Sequence, residues 1–326
     1  MDINWLSDFA DAWRNRGRSK RLPHAVLLAG PPGVGKRAAA AWLARQKLGM
    51  ETSSLPTYST ERPEHPDLRW LDIPPDKQAI SIDQVRELVS ELGLTSFSSG
   101  GKVAVIDPAN AMTVNAANSL LKTLEEPPGD ALLVLIADRV GRLPATIFSR
   151  CQRIEIVPPN AAEALAWLDK LRPGAPWAEA LAIAGGSPLA AIEALDSIET
   201  SRNMAKDFNA VGRNEVSPVE VAARWAKIDP VFVLNWLSQQ VKLAAIAQFA
   251  GRERAAGVLI EDSVLRRIDT RNLFCYSDII NRLRGQLAGS FNLQLTLEGL
   301  LIDWMNGLAG SSDTADGGMD LMLANR

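Results

Sequence analysis

The stretch that decides the fold is Ala25-Val26-Leu27-Leu28-Ala29, followed at once by Gly30-Pro31-Pro32-Gly33-Val34-Gly35-Lys36. Consecutive apolar residues without alternation predict a strand buried on both faces. The glycine-rich turn predicts a backbone that curls until successive N–H groups point inward. The Ala-rich run from Lys36 to about Lys47 predicts a helix whose positive end faces the same spot. Gly30, Gly33, Gly35 and Lys36 are therefore candidate phosphate-binding residues, with Lys36 reaching the outer phosphates. In loops of this kind the next residue is Ser or Thr, whose hydroxyl holds magnesium. Here it is Arg37, a cation with no lone pair to give. An ordinary strand–turn–helix connection is the plain alternative reading.

Outward from this loop the pattern repeats. Lys102–Ile106, Ala131–Ile136 and Arg153–Val157 read as strands. Ile82–Leu92 reads as a helix with Val85, Leu88, Val89 and Leu92 on one face, and Val114–Glu125 as a helix capped by Thr113 and ended before Pro127-Pro128. Apolar strands separated by helices predict an α/β fold with a parallel, doubly wound sheet, whose ligands sit at the carboxyl ends of the strands. After Pro158-Pro159 only helices are expected: Ala161–Leu171, Ala178–Ala184 and Pro188–Leu195 as a small three-helix unit, then a helical block whose longest element is Pro230–Phe249. The expected division is 1–158, 159–203 and 204–310, with a flexible polar tail at 311–326.

The chain has 326 residues, 35 Lys and Arg against 38 Asp and Glu, two cysteines and two histidines. A net charge of −3 makes any nucleic-acid contact local or shared with partners. Cys151 and Cys275 are too few for a disulfide scaffold and suit a reducing cytosol. The acidic N-terminus is unlike a signal peptide, and no apolar run approaches the ~18 residues of a membrane span, so a cytoplasmic protein is expected. His24 and His65 read as structural. The basic run Arg14, Arg16, Arg18, Lys20 and Arg21 reads as a solvated helix end, with contact to DNA phosphates or an acidic partner as the alternative.

Two further signals bear on chemistry. Asp107 ends a strand where phosphate-loop ATPases place a magnesium-holding carboxylate; an Asp-Pro turn capping a strand is the equal alternative, because its neighbour Pro108 cannot serve as the base that polarises water. Arg150, in Ile147-Phe148-Ser149-Arg150-Cys151-Gln152, lies beside the last strand. No carboxylate occurs within four residues on its N-terminal side, and Glu155 is the first after it.

Together the residues resemble AAA+ clamp-loader subunits, in particular the delta-prime type of bacterial DNA polymerase III. The matching pieces occur in the family's order: Leu22-Pro23-His24-Ala25, His65-Pro66-Asp67, Ile82-Asp83-Gln84-Val85-Arg86, the long run from Ala117 to Pro128, and Ser149-Arg150-Cys151. Weaker matches follow at Gly186-Ser187-Pro188 and Asn292–Leu301. The resemblance implies a P-loop module, a small helical lid and a helical collar that joins subunits in a ring. It implies delta and gamma/tau subunits as partners, the sliding clamp and primed DNA as indirect ones, and Arg150 as a trans arginine finger for a neighbour's ATP. Family motors carry Thr, Asp-Glu, a polar Thr or Asn and an arginine where this chain has Arg37, Asp107-Pro108, Ala137-Asp138 and Leu189. These departures imply a subunit that does not hydrolyse ATP, needs no cofactor and binds ATP or ADP weakly at most. An active gamma/tau-like motor is the rival reading, and a pure binding module without a role for Arg150 is another. Relatives often hold zinc with four cysteines before His-Pro-Asp, whereas Leu48–Glu64 has neither Cys nor His, so no zinc and no other metal site is expected. Met319–Leu323 faintly resembles a clamp-binding peptide, and a disordered remnant is the favoured reading.

Overall fold

The computed structural model describes residues 1–18, 22–59, 61–75, 77–97, 101–138, 141, 143–249, 257–285 and 292–308. Five strands, β1 (Ala25–Ala29), β2 (Leu68–Leu71), β3 (Val103–Ile106), β4 (Leu132–Ala137) and β5 (Gln152–Glu155), form one sheet in the order β2-β3-β4-β1-β5. All pairs are parallel, with Ala25 opposite Leu133, Val26 opposite Gln152, Val103 opposite Leu132 and Leu68 opposite Val103. β1, β3 and β4 are buried along their whole length, which is why their sequences show no alternation. The parallel sheet expected from the sequence is present. β2 escapes that reading because Arg69 interrupts its apolar residues. This is tolerated at the sheet's edge, where Arg69 pairs with Glu91.

The helices of this unit have readable causes. α1 (Ser7–Arg18) buries Ala10 and Trp13, and α2 (Lys36–Lys47) leaves the phosphate loop. α3 (Ile82–Leu92) starts on a capping box between Ser81 and Gln84. α4 (Val114–Glu125) is capped by Thr113, whose side chain accepts from the Ala116 N–H. α5 (Ala145–Phe148) is a single turn that buries Ile147. α3, α4, β1, β3 and β4 share one apolar core that includes Leu27, Val85, Ile106, Leu120 and Leu135.

The rest is helical: α6 (Ala161–Leu171), α7 (Trp177–Ile183), α8 (Pro188–Ala194), α9 (Ile198–Gly212), α10 (Pro218–Trp225), α11 (Pro230–Phe249), α12 (Asp262–Leu265), α13 (Thr270–Gly285) and α14 (Leu293–Met305). Residue contacts group the chain into two units, not the three parts expected. One is Met1–Leu168 with Gly186–Ala190; the other is Asp169–Gly185 with Ala191–Arg326. The segment expected as a separate lid is shared between them for identifiable reasons. In α6, Trp167 Nε1 donates to the Asp2 carbonyl, and Leu189 N donates to the Gly33 carbonyl, so both stay with the sheet. α7 packs on α9, where Arg202 makes a bidentate pair with Glu179 at 2.7 and 2.8 Å, so it stays with the helices.

The core of the helical unit is aromatic. Phe208 stacks on Trp304 with centroids 4.0 Å apart and meets Trp236 edge-on. The polar atoms of these large side chains are satisfied: Trp304 Nε1 donates to Phe208 O, Trp236 Nε1 to Ser201 Oγ and the Tyr276 hydroxyl to Leu300 O. Among the described residues no single helix is long and apolar enough to cross a membrane. The tail at 311–326, with Met319–Leu323, lies outside the described residues, as do Lys20 and Arg21. Of the basic run, Arg14 bonds Asp11 and the Ser54 carbonyl.

Candidate functional site

The sheet order explains the site. β1 lies beside β4, and β4 beside β3, so the carboxyl ends of these strands bring Gly30, Asp138 and Asp107 to one edge. Gly33 and Gly35 have φ of +75° and +101°, the left-handed region that lets the loop curl. At Gly33 a second reason operates: a Cβ there would collide with Ala190, at the start of α8.

The cations of the loop are already matched by carboxylates. Lys36 Nζ donates to the Gly30 carbonyl at 2.8 Å and the Pro31 carbonyl at 2.5 Å, and pairs with Asp138 Oδ1 at 2.7 Å. Burial lowers the Lys36 pKa, and its hydrogen bond to Asp138 opposes that shift. Arg37 Nε pairs with Asp107 Oδ2 at 2.6 Å. The Asp107 side chain is 3% exposed and that of Arg37 69%. Burial pushes the Asp107 carboxyl above its ordinary value, and Arg37 pulls the other way. Arg37 itself is raised, since Asp107 outweighs the burial that opposes it. The two shifts point opposite ways for the strength of the pair. The guanidinium is charged at every ordinary pH, and its bond to Asp107 opposes the rise that burial imposes on the carboxyl.

A loop of this kind implies magnesium and nucleotide, and these residues do not fit magnesium. Where a hydroxyl would ligate the ion there is a guanidinium, and it already holds the carboxylate that would be the second ligand. Pro108 follows Asp107, so no adjacent carboxylate can polarise water. Leu189 offers its backbone N–H to Gly33 O at 3.0 Å, and its side chain carries no charge for a phosphate.

Arg150 lies between α5 and the edge strand β5. Its partner lies beyond the neighbouring residues that the sequence reading weighed: it is paired with Glu125, the last residue of α4 and 25 positions earlier. Nε and Nη2 donate to Glu125 Oε1, with Nε at 2.7 Å, and Nη1 donates to Thr146 O and Ser149 Oγ, both at 3.1 Å. Linear spacing missed it because α4 and α5 come together only through packing. Burial pushes the adjacent Cys151 thiol up to about 12, so this cysteine is a packed side chain and not a nucleophile.

The sequence profile of the family described as DNA polymerase III, delta subunit, matches residues 6–160. Over 310 residues the chain is 31% identical to the DNA polymerase III subunit delta' of Pseudomonas aeruginosa, covering 90% of this chain and 94% of that one. The chain belongs to the DNA polymerase III subunit delta' family. It is also 41% identical over 151 residues to the subunit delta' of Bacillus subtilis, covering 44% of this chain and 45% of that one. Among solved structures it is similar to a DNA polymerase III gamma subunit-related protein from Thermotoga maritima, with 18% identity, coverage of 94% and 99%, and a TM-score of 0.48.

In this chain the candidate residues fall into two groups. Gly30, Gly33, Gly35, Lys36 and Asp107 converge at the strand ends, joined by Arg37 and Asp138. Arg150 and Glu125 form a separate pair at the end of α4. The two histidines serve the backbone: His24 Nε2 bonds with Leu124 O at 2.8 Å, and His65 Nδ1 accepts from the Asp67 N–H.

Proposed function

We propose that this chain is a non-hydrolysing subunit of the bacterial clamp loader, assembled with delta and gamma/tau subunits, and that it offers Arg150 to the ATP site of a neighbouring motor. In that assembly it helps place the sliding clamp on primed DNA during replication. The observation that carries the reading is the Arg37–Asp107 pair at 2.6 Å. It closes the magnesium position from inside, so the loop binds ATP or ADP weakly at most. No cofactor is required, and zinc has no thiolate or imidazole between Leu48 and Glu64.

The role of Arg150 follows from position and charge. It lies at the rim of the sheet unit and contributes little to folding, since a partly exposed ion pair is typically worth less than ~1 kcal/mol. Facing a phosphoryl group whose charge grows in the transition state, an arginine supplied in trans accelerates transfer by ~10³–10⁵. The test is Arg150→Ala in a reconstituted loader. Assembly should persist while DNA-stimulated ATPase and clamp loading slow. Arg150→Lys should not restore the full rate, because an ammonium lacks the planar fork that matches phosphate oxygens. Wild-type turnover by the Arg150→Ala loader would exclude the finger role.

A further inference from the structure

We infer that Glu125 is a latch for Arg150, holding the guanidinium in the unengaged subunit and releasing it when a neighbour's nucleotide phosphate competes for the same edge. The inference rests on the trans-finger reading above. The juxtaposition is specific. One carboxylate oxygen of Glu125 receives both Nε and Nη2, so the edge of the guanidinium that would fork onto an oxyanion is the edge now occupied. Nη1 is held separately by Thr146 O and Ser149 Oγ, backbone and hydroxyl groups of the turn that carries Arg150 itself. Removing Glu125 therefore frees the donor edge while the head group keeps its anchor. An exchange of carboxylate for phosphate then needs only a small rotation about the anchored nitrogen.

Exposure and electrostatics make the latch reversible. The side chains of Arg150 and Glu125 are 32% and 49% exposed, so water reaches both and the pair can open without stranding a buried charge. Glu125 is also the last residue of α4, at the negative end of the helix dipole, where a carboxylate is disfavoured unless a cation answers it. The paired state is thus the resting one. The pair itself presents no net charge until a more highly charged anion competes for Arg150. Glu126, the next residue, is exposed in the same turn and provides an internal control.

The test has two arms on the full chain. In the first, the isolated protein is treated with phenylglyoxal and modification at each arginine is followed by mass spectrometry. Glu125→Gln should raise the rate at Arg150 by about five-fold, the upper range for such a pair. Glu126→Gln should leave it unchanged, and unchanged rates at Arg202 and Arg213 report an intact fold. In the second, loaders reconstituted with Glu125→Gln should show a lower KM for ATP and faster turnover without DNA, so that DNA stimulates them less. Glu125→Gln in an Arg150→Ala background should add nothing. Unchanged labelling at Arg150 overturns the latch, as does an unchanged KM and DNA-free rate in a loader that Arg150→Ala does slow. Indifference of the loader to Arg150→Ala itself removes the finger reading, and the latch with it.

Discussion

Replacing Arg37 with alanine should destabilise the sheet unit at neutral pH and leave it unaffected in acid. The carboxyl of Asp107 is almost wholly buried, and Arg37 is the cation it bonds. At an effective dielectric of about 20, opposite charges about 4 Å apart attract by about 4 kcal/mol. Two-thirds of the Arg37 side chain lies in solvent, so screening leaves a net contribution of about 1–2 kcal/mol, below the 3–5 typical of breaking a fully buried pair. The sign with pH follows from the direction of the shift. Burial already holds the folded Asp107 carboxyl above its unfolded value. Its contribution is most favourable below the ordinary aspartate value of about 3.9 and is lost as pH rises through the folded value. Arg37 opposes that rise, so its removal lifts the carboxyl further and enlarges the loss at neutral pH. Below both values the carboxyl is protonated in wild type and variant alike, and the difference vanishes. Hydrogen exchange of β3 and β1 amides reads this locally, which matters in a chain of two units. About 1.4 kcal/mol appears as a ten-fold faster exchange at pH 7. Equal exchange at pH 7, or a difference that persists in acid, would refute the argument.

Three other outcomes are expected. The isolated chain should hydrolyse ATP only at background, and Lys36→Ala should not lower that background; turnover that disappears with Lys36 would mean that the loop is a working site. Elemental analysis of purified protein should find zinc far below one equivalent per chain, since Leu48–Glu64 offers no thiolate or imidazole. Iodoacetamide at pH 8 should spare Cys151 in the native chain and modify it in urea, because with a pKa of about 12 only about one thiol in ten thousand is ionised; rapid native modification would contradict its burial.

How much of this was legible in the sequence depended on the range of the interaction. The phosphate loop, the apolar strands and the Thr113 cap are local patterns, read from neighbours a few residues apart. Arg37 was legible as a departure, and its meaning as a partner of Asp107 was not, because the two are 70 residues apart and meet only through the order of β1, β4 and β3. Asp138 was visible as a non-motor residue, yet nothing linear links it to Lys36. Glu125 lies in the long run from Ala117 to Pro128 that carries the resemblance, and its bond to Arg150 depends on the packing of α4 against α5. The grouping of 159–203 across two contact units rests on bonds between residues far apart in sequence, such as Leu189 N to Gly33 O and Trp167 Nε1 to Asp2 O, which no linear pattern shows.

The two sets of ion pairs differ in a way that fits opposite tasks. A ligand shifts a conformational equilibrium only by its differential affinity for the two states. Lys36 and Arg37 are the charges through which a nucleotide would act on this subunit, and each is matched by an aspartate at a neighbouring strand end, with Lys36 and Asp107 buried. Opening those pairs exposes a buried charge to loss of its partner, a costly change for a loop that offers no metal in exchange. The Arg150–Glu125 pair is half in water, and its opening leaves no charge buried. One anion site is therefore closed from within while the other charge stays exchangeable at the rim. On the proposed reading, a subunit so arranged would respond little to nucleotide at its own loop and more to the phosphate of a neighbour. That division follows from where each carboxylate sits relative to solvent, and it needs no difference in the strength of the pairs themselves.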